Sequence, residues 1–219
     1  CSSLTELIIP SGVDHIGNCA FMGCEGLRAF SVSIDNPSFS SIDGLLLSKD
    51  GKTVVCGVNG RVSIPQGVTT IADSAFWGYR GLVSVTIPST VSSIGWRAFR
   101  DCSNLEGLII SDGLRSIGDS AFAGCKALTD VIIPPSVTDI KSSAFSGCES
   151  LTDIVLPFIG ARRGGSGRED SLFGYIFGTQ SYDGGLKTCQ WISSTQATTN
   201  YIPESLKAVR ITDESVVSA

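Results

Sequence analysis

A repeat of 23 residues runs through most of the chain and limits the folds that it can adopt. Successive units begin at Cys1, Cys24, Cys56, Tyr79, Cys102, Cys125 and Cys148. The step is 23 residues each time except between Cys24 and Cys56, where it is 32, so the unit 24–55 is a longer variant. Self-similarity at a fixed period of this length predicts a solenoid in which each unit forms one coil of a stack.

The same positions of successive units carry large apolar side chains. Leucine fills position 4 of most units, and positions 7 and 9 hold pairs such as Val85 with Ile87. Residues two apart in a strand lie on one face, so these pairs predict a strand with an apolar inner face. Position 10 is often proline, such as Pro88, which ends the strand because it has no N–H to donate.

The second half of each unit has a signature of its own. Valine or leucine at position 13 and isoleucine at position 16 predict a second short extended or turn-like segment. An Ala-Phe pair closes each regular unit, as in Ala121-Phe122, and we expect it to point inward from a short helical turn. One coil of this kind cannot bury its apolar side chains alone, so neighbouring coils must cover each other.

The pattern C-x-x-L-x-x-[LV]-x-I-P-x-x-V-x-x-I-x-x-x-A-F-x-G resembles the leucine-rich repeats of BspA-type surface proteins of bacteria. The resemblance covers residues 1–157, and the additional residues of unit 24–55 resemble the longer unit of the same family. It implies a leucine-rich repeat solenoid, a curved stack of parallel β-strands. It also implies an extracellular or cell-surface location and binding to host matrix proteins or to other cells.

One departure from common leucine-rich repeats concerns the convex side of the expected solenoid. Their asparagine column is missing, and its nearest equivalents include Gly12, Gly67 and Ser136. We therefore expect short strands or 3-10 and helical turns on the convex side, with more short strand and less helix than in the familiar horseshoe.

The regular pattern stops after residue 157. Residues 158–202 form a predicted irregular insertion, and residues 203–219 return to the strand pattern as the start of a further repeat or a C-terminal cap. The aromatic residues Phe173, Tyr175 and Phe177 either fold against the last coils or form a binding patch. Three arginines of the glycine-rich stretch either lie in a solvated loop or hold an anionic group: Arg162, Arg163 and Arg168.

Charge and hydropathy narrow the classes of partner. The net charge is −5, from 16 basic and 21 acidic residues, and no run of Lys and Arg stands out. Nucleic acid and membrane insertion are therefore not expected, and we expect a monomer that binds a protein or cell-surface ligand. The chain starts at Cys1 in mid-pattern without a leader, so we expect it to be a processed or excised part of a longer protein.

Catalytic and metal-binding motifs do not stand out in the sequence. His15 is the single histidine and shares its position with polar surface residues, which leaves no Ser-His, Cys-His or multi-histidine centre. We expect no enzyme activity and no cofactor. Six of the eight cysteines share position 1, where stacked thiols, disulfides between adjacent coils and, least of all, a zinc site are the alternatives.

The predicted partner surface is the outward face of the first strand of each unit, at positions 6 and 8. Its candidate contact residues are Glu6, Ile8, Arg61, Ile109, Asp130, Ile132, Asp153 and Val155. Two functions fit this surface: a binding or adhesion module, or a structural spacer that displays another domain.

Overall fold

The computed structural model describes residues 3–167, 172–191 and 196–212. These residues form a parallel β-solenoid of about seven coils with almost no helix. The predicted leucine-rich repeat fold is therefore confirmed, and the convex side is built from short strands rather than helices.

The first strand of each coil lies at positions 6–9, and these strands stack side by side along the solenoid. They are β1 (Glu6–Ile9), β2 (Ala29–Val32), β6 (Gly60–Ser63), β8 (Leu82–Ile87), β10 (Gly107–Ile110), β12 (Asp130–Ile132), β14 (Asp153–Leu156) and β17 (Ala208–Ile211). The register repeats the sequence period, since Leu108 lies opposite Val85 and Val131 lies opposite Ile154. Hydrogen bonding divides the strands into three parallel groups, β1-β2, β6-β8-β10 and β12-β14-β17.

The second extended segments of the central coils form one seven-stranded sheet on the other side of the core. Its strands are β3 (Phe39–Ile42), β4 (Leu45–Ser48), β5 (Thr53–Cys56), β7 (Thr70–Ile71), β9 (Ser93–Ile94), β11 (Ser116–Ile117) and β13 (Asp139–Ile140). The last four are two-residue parallel strands at positions 15 and 16, which fulfils the expectation of a short second segment. The long unit adds the antiparallel strands β3 and β4 at the edge of this sheet.

The phenylalanines of the Ala-Phe pairs form a continuous stack in the core. Ring centroids lie 4.7 Å apart for Phe76 and Phe99, 5.1 Å for Phe99 and Phe122, and 5.4 Å for Phe122 and Phe145, and all four side chains are fully buried. Phe21 does not join them; it packs edge-on against Phe30 at 5.1 Å. The long unit explains the difference, because it has no Ala-Phe pair to bridge Phe21 to Phe76.

The turn before each Ala-Phe pair uses a backbone conformation that the sequence does not reveal. Position 19 is left-handed, with φ between 53° and 61°, although no unit has glycine there. The residues concerned are Cys19, Ser74, Arg97, Ser120 and Ser143. L-residues adopt this conformation at a cost of about 1–2 kcal/mol, so the tight turn is maintained against local strain by the stacking of the coils.

The left-handed turn at position 19 predicts an unusual pair of effects at Ser74. The hydroxyl of Ser74 is buried and makes no hydrogen bond within the described residues. Ser74→Gly should raise the free energy of unfolding by about 1 kcal/mol, because it relieves the left-handed strain and removes that hydroxyl. Ser74→Val should lower it by about 2 kcal/mol, because a β-branched residue tolerates positive φ poorly. Urea denaturation of both variants tests this, and a stabilising valine would contradict it.

The segment after residue 157 contributes to the stack. The 3-10 helix Phe173–Ile176 packs on the coil below, where the backbone N–H of Phe145 donates to the carbonyl of Ile176 at 2.8 Å. In the regular coils the equivalent bond joins Phe122 to Ala144, so Ile176-Phe177 occupies the place of an Ala-Phe pair. A hairpin of β15 (Gly185–Trp191) and β16 (Ala197–Pro203) follows, and β17 then pairs with β14.

Candidate binding surface

The outward positions of the first strands form the candidate partner surface. Three isoleucines at position 8 are largely exposed: Ile8 at 72%, Ile109 at 61% and Ile132 at 66%. Their neighbours at positions 7 and 9 face the core, as for Val131 and Ile133, each 1% exposed. The alternation arises because successive side chains of a strand point to opposite faces, so the inward apolar columns fix which residues face solvent.

The C-terminal part of this surface contains a depression of about 190 Å³. Four predicted residues line it, namely Asp130, Ile132, Asp153 and Val155, together with Ala208 and Arg210 of β17. The register of β12, β14 and β17 brings them together, since Asp130 lies opposite Asp153 and Val155 opposite Arg210. We name these six residues the C-terminal strip.

The C-terminal strip combines two carboxylates and one guanidinium with the exposed side chain of Ile132 and the half-buried side chain of Val155. The hydroxyl of Thr129 donates to the carboxylate of Asp130 at 2.6 Å, which orients it. Carboxylates on adjacent strands repel each other and are stabilised by donors or cations from outside. This arrangement therefore favours a partner that brings N–H donors or basic side chains next to an apolar contact.

Arg210 was not singled out from the sequence, although the signal was present. Residues 203–211 match the strand pattern with Leu206, Val209 and Ile211 at positions 4, 7 and 9. That alignment places Ala208 and Arg210 at the outward positions 6 and 8, where the structure has them.

The other residues predicted to contact a partner lie outside the C-terminal strip, in other groups of strands. Glu6 and Ile8 belong to the β1-β2 pair, in which the hydroxyl of Ser31 donates to the carboxylate of Glu6. Arg61 of β6 lines a separate depression with Arg28 and Asp43. No ladder joins β2 to β6 among the described strands, so the structure does not gather all eight residues into one site.

The three aromatic candidates lie away from the strip, in the 3-10 helix and directly after it. Phe177 is fully buried and has no exposed surface with which to contact a partner, which corrects the expectation of a patch that includes it. Phe173 and Tyr175 are half-buried and pack against the core, and the rings of Phe173 and Phe177 meet edge-on at 5.3 Å. Burial at this point follows from the role of Phe177 in closing the last coils.

Two arginines of the glycine-rich stretch make contacts with the backbone of the preceding coil. Arg162 forms a β-bridge with Asp139, and Arg163 donates its guanidinium to the carbonyl of Pro135. Both side chains are exposed. Arg168 lies outside the described residues.

Comparison with known proteins assigns the repeat to a family. Residues 1–46 and 56–160 match the BspA type leucine rich repeat region in six copies. The chain belongs to this family. No curated protein matches it.

Solved structures agree with the BspA-type assignment. The crystal structure of the pneumococcal vaccine antigen PcpA is 26% identical with a TM-score of 0.63, over 69% of this chain and 38% of that one. A leucine rich cell surface protein from Faecalibacterium prausnitzii is 33% identical with a TM-score of 0.61, over 72% of this chain and 44% of that one. A leucine-rich repeat protein from Eubacterium ventriosum, 19% identical with a TM-score of 0.54, covers 82% of this chain and 60% of that one and shows the fold alone. The chain spans less than half the length of the first two relatives.

From Cys24 onward, the cysteine column of these BspA-type repeats consists of free thiols. Seven free cysteines lie within the described residues, and Cys102, Cys125 and Cys148 are fully buried. Each of these three thiols donates to the carbonyl of the phenylalanine 26 residues earlier, at 3.0–3.3 Å. Burial raises the pKa of Cys56 to about 11 and that of Cys148 to about 12, and it also raises the pKa values of Cys102 and Cys125. Such neutral, hydrogen-bonded thiols fill the core rather than act as nucleophiles.

The histidine and the carboxylates provide no metal centre in the part of the chain that the structure describes. His15 is exposed, and no group of three or more His, Cys, Asp or Glu side chains is arranged to hold a metal ion there. Within the same residues, no helix has the length and apolar character needed to cross a bilayer.

Proposed function

We propose that this chain is a non-catalytic binding module of a secreted or cell-surface bacterial protein, and that it contacts a protein through the C-terminal strip. The observation that carries the proposal is Ile132, which is 66% exposed on β12, two residues beyond the facing carboxylates of Asp130 and Asp153. A β-branched side chain on a rigid sheet loses little rotamer freedom when a partner covers it.

The energetics of the strip support specific but moderate binding. Covering an exposed isoleucine is worth about 1.5–3 kcal/mol, which corresponds to about 10-fold to 150-fold in affinity. Ile109 at 61% exposure adds a second apolar contact two coils before β14. The carboxylates of Asp130 and Asp153 and the guanidinium of Arg210 give the surface the polar groups that fix orientation.

Family membership supports the surface location and the protein partner. One relative is a vaccine antigen and another is described as a cell surface protein. The net charge of −5 disfavours nucleic acid as a partner, and a monomer suffices because the strip lies within one chain. A host matrix protein is the partner class that we propose to test first.

Ile132→Asp should weaken binding by about 30-fold, because it removes the apolar contact of the strip and places a hydrated carboxylate against the apolar part of the partner. The probe is a set of immobilised collagen, laminin and fibronectin, supplemented by intact epithelial cells, with surface plasmon resonance and cell attachment as the measurements. Ile34→Asp is the matched control, since Ile34 is 87% exposed and lies outside the strip.

Equal loss in the two isoleucine variants would contradict the proposed location of the site. A natural chain that binds none of the probes would overturn the proposed class of partner and favour the alternative function of a structural spacer.

A further inference from the structure

The turns that join the second sheet to the first form a separate surface with a different composition. This turn face consists of residues 18–25, 73–80, 96–103, 119–126 and 142–149. Two of the three tryptophans lie on it, Trp77 and Trp96, with ring centroids 6.2 Å apart. The guanidinium of Arg97 lies 4.0 Å from the centroid of Trp96 and 5.0 Å from that of Trp77, so it holds both indoles in place.

Asp101 departs from the repeat at the centre of the turn face. Position 23 is otherwise glycine with positive φ, as in Gly78 at 74°, Gly124 at 76° and Gly147 at 69°. Asp101 adopts φ 58° in the same place. Its carboxylate accepts the indole N–H of Trp77 at 3.0 Å and pairs with the guanidinium of Arg100 at 3.4 Å. Replacement of the glycine by an aspartate therefore supplies a carboxylate that fixes the orientation of the Trp77 indole.

Asp101 also forms the wall between two depressions. The first, of about 390 Å³, is lined by Trp77, Met22 and Arg80, among others. The second, of about 370 Å³, lies between the turns and the segment 180–183, and Ser120, Ser146 and Tyr182 are among its lining residues. Both depressions include Asp101 and follow the turns of successive coils, and we call the two together the groove of the turn face.

The charged side chains of the groove are mixed in sign and nearly cancel, with two basic and three acidic residues around the second depression. Arg100 and Lys126 oppose Asp101, Glu149 and Asp183 around the second depression, and the ammonium of Lys126 lies 2.7 Å from the carboxylate of Glu149. Serine hydroxyls and an amide stand between these charges. Such a lining favours a neutral ligand with many hydroxyl groups over a strongly anionic or strongly cationic one.

We propose that the turn face is a second binding site, for a neutral oligosaccharide. Each sugar hydroxyl both donates and accepts hydrogen bonds, which matches an alternation of carboxylates, basic side chains and hydroxyls. The C–H face of a pyranose ring is apolar and packs on an indole, and Trp96 keeps 38% of its surface exposed. Trp77 lines the first depression directly and is oriented by Asp101.

Asp101→Gly separates binding from folding, because it restores the residue that the repeat has elsewhere at position 23. We expect this variant to melt at the same or a higher temperature than the natural chain, since glycine relieves the positive φ. We expect its affinity for the oligosaccharide to fall by about tenfold or more, because a charged acceptor and the anchor of Trp77 are lost.

The probes are cellohexaose, xylohexaose, mannohexaose and chitohexaose, titrated by calorimetry and by tryptophan fluorescence against the intact chain. Trp191→Ala is the control, because Trp191 is 69% exposed on β15 and lines neither depression.

Binding of one probe by the natural chain and the control, with loss in Asp101→Gly, supports the proposal. It is overturned if none of the four probes binds, if Asp101→Gly binds as tightly, or if the tryptophan signal responds only to an unstructured peptide such as casein. The Ile132→Asp variant should bind the oligosaccharide as tightly as the natural chain does. The experiment therefore tests the turn-face site independently of the C-terminal strip.

Discussion

Phe122→Ala should lower the free energy of unfolding by about 3–5 kcal/mol. Phe122 is fully buried and stacks on Phe99 at 5.1 Å on one side and on Phe145 at 5.4 Å on the other. Its loss therefore leaves a cavity between two coils and removes both ring contacts at once. Because each coil is stabilised mainly by its neighbours, the damage at a central coil affects both halves of the solenoid.

The matched control for this prediction is Phe21→Ala. Phe21 holds the same position in the first unit, but it is only half-buried and makes one edge-on contact with Phe30. We expect a loss of about 1–2 kcal/mol there. Urea denaturation followed by circular dichroism measures both values, and a loss at Phe21 as large as at Phe122 would contradict the stacked core.

Raising the pH above about 9 should destabilise the fold steeply through the buried thiols. The unfolded thiol has a pKa of 9.0, whereas burial raises the pKa of Cys56 to about 11 and that of Cys148 to about 12. The fold holds the proton more tightly than the unfolded chain does, so this stability is fully present below pH 9 and is lost as the pH rises through the folded values. Each such thiol contributes a slope of about 1.4 kcal/mol per pH unit within that window.

Urea denaturation at pH 8, 9, 10 and 10.5 tests the thiol slope. Removing two of the buried thiols, as in the double variant Cys102→Ala with Cys125→Ala, should reduce the slope by roughly 2–3 kcal/mol per pH unit. Cys189→Ala is the control, because Cys189 is exposed and should leave the slope unchanged. A slope that is insensitive to the double variant would show that the buried column does not control the alkaline loss.

Much of the fold follows from the period of the sequence. The inward strand columns, the short second strands and the stack of coils are all determined by apolar residues that recur every 23 positions. The same columns fix which side chains face outward, so the repeat pattern alone predicts that Ile109 and Ile132 are exposed, as they are.

The repeat pattern does not predict the backbone conformation of the turns. Position 19 carries cysteine, serine or arginine, none of which signals a left-handed backbone. The sequence pattern also does not reveal the turn-face cluster, because Trp77 and Trp96 stand at positions that vary between units and Asp101 replaces a recurring glycine. A search for recurring residues cannot detect a site made of residues that differ from one unit to the next.

The repeat pattern also does not predict how the segment after residue 157 completes the stack of coils. Ile176-Phe177 takes the place of an Ala-Phe pair, but it stands nine residues later than the period requires and has isoleucine instead of alanine. Stacking decides its placement, since the fully buried ring of Phe177 covers the coil of Phe145. Packing of this kind becomes evident only when neighbouring coils are in place.

Residues 23 apart in the sequence lie side by side in adjacent coils, and the fold and both proposed sites depend on this placement. Disulfide trapping tests it most directly, in a chain in which Cys189 is replaced by alanine. The pair Thr86→Cys with Ile109→Cys joins register partners on β8 and β10, whose Cα atoms at about 4.8 Å lie within bridging range. The pair Ser84→Cys with Ile109→Cys is offset by two residues and lies outside it. We predict rapid crosslinking of the first pair and little of the second; equal or reversed rates would contradict the solenoid.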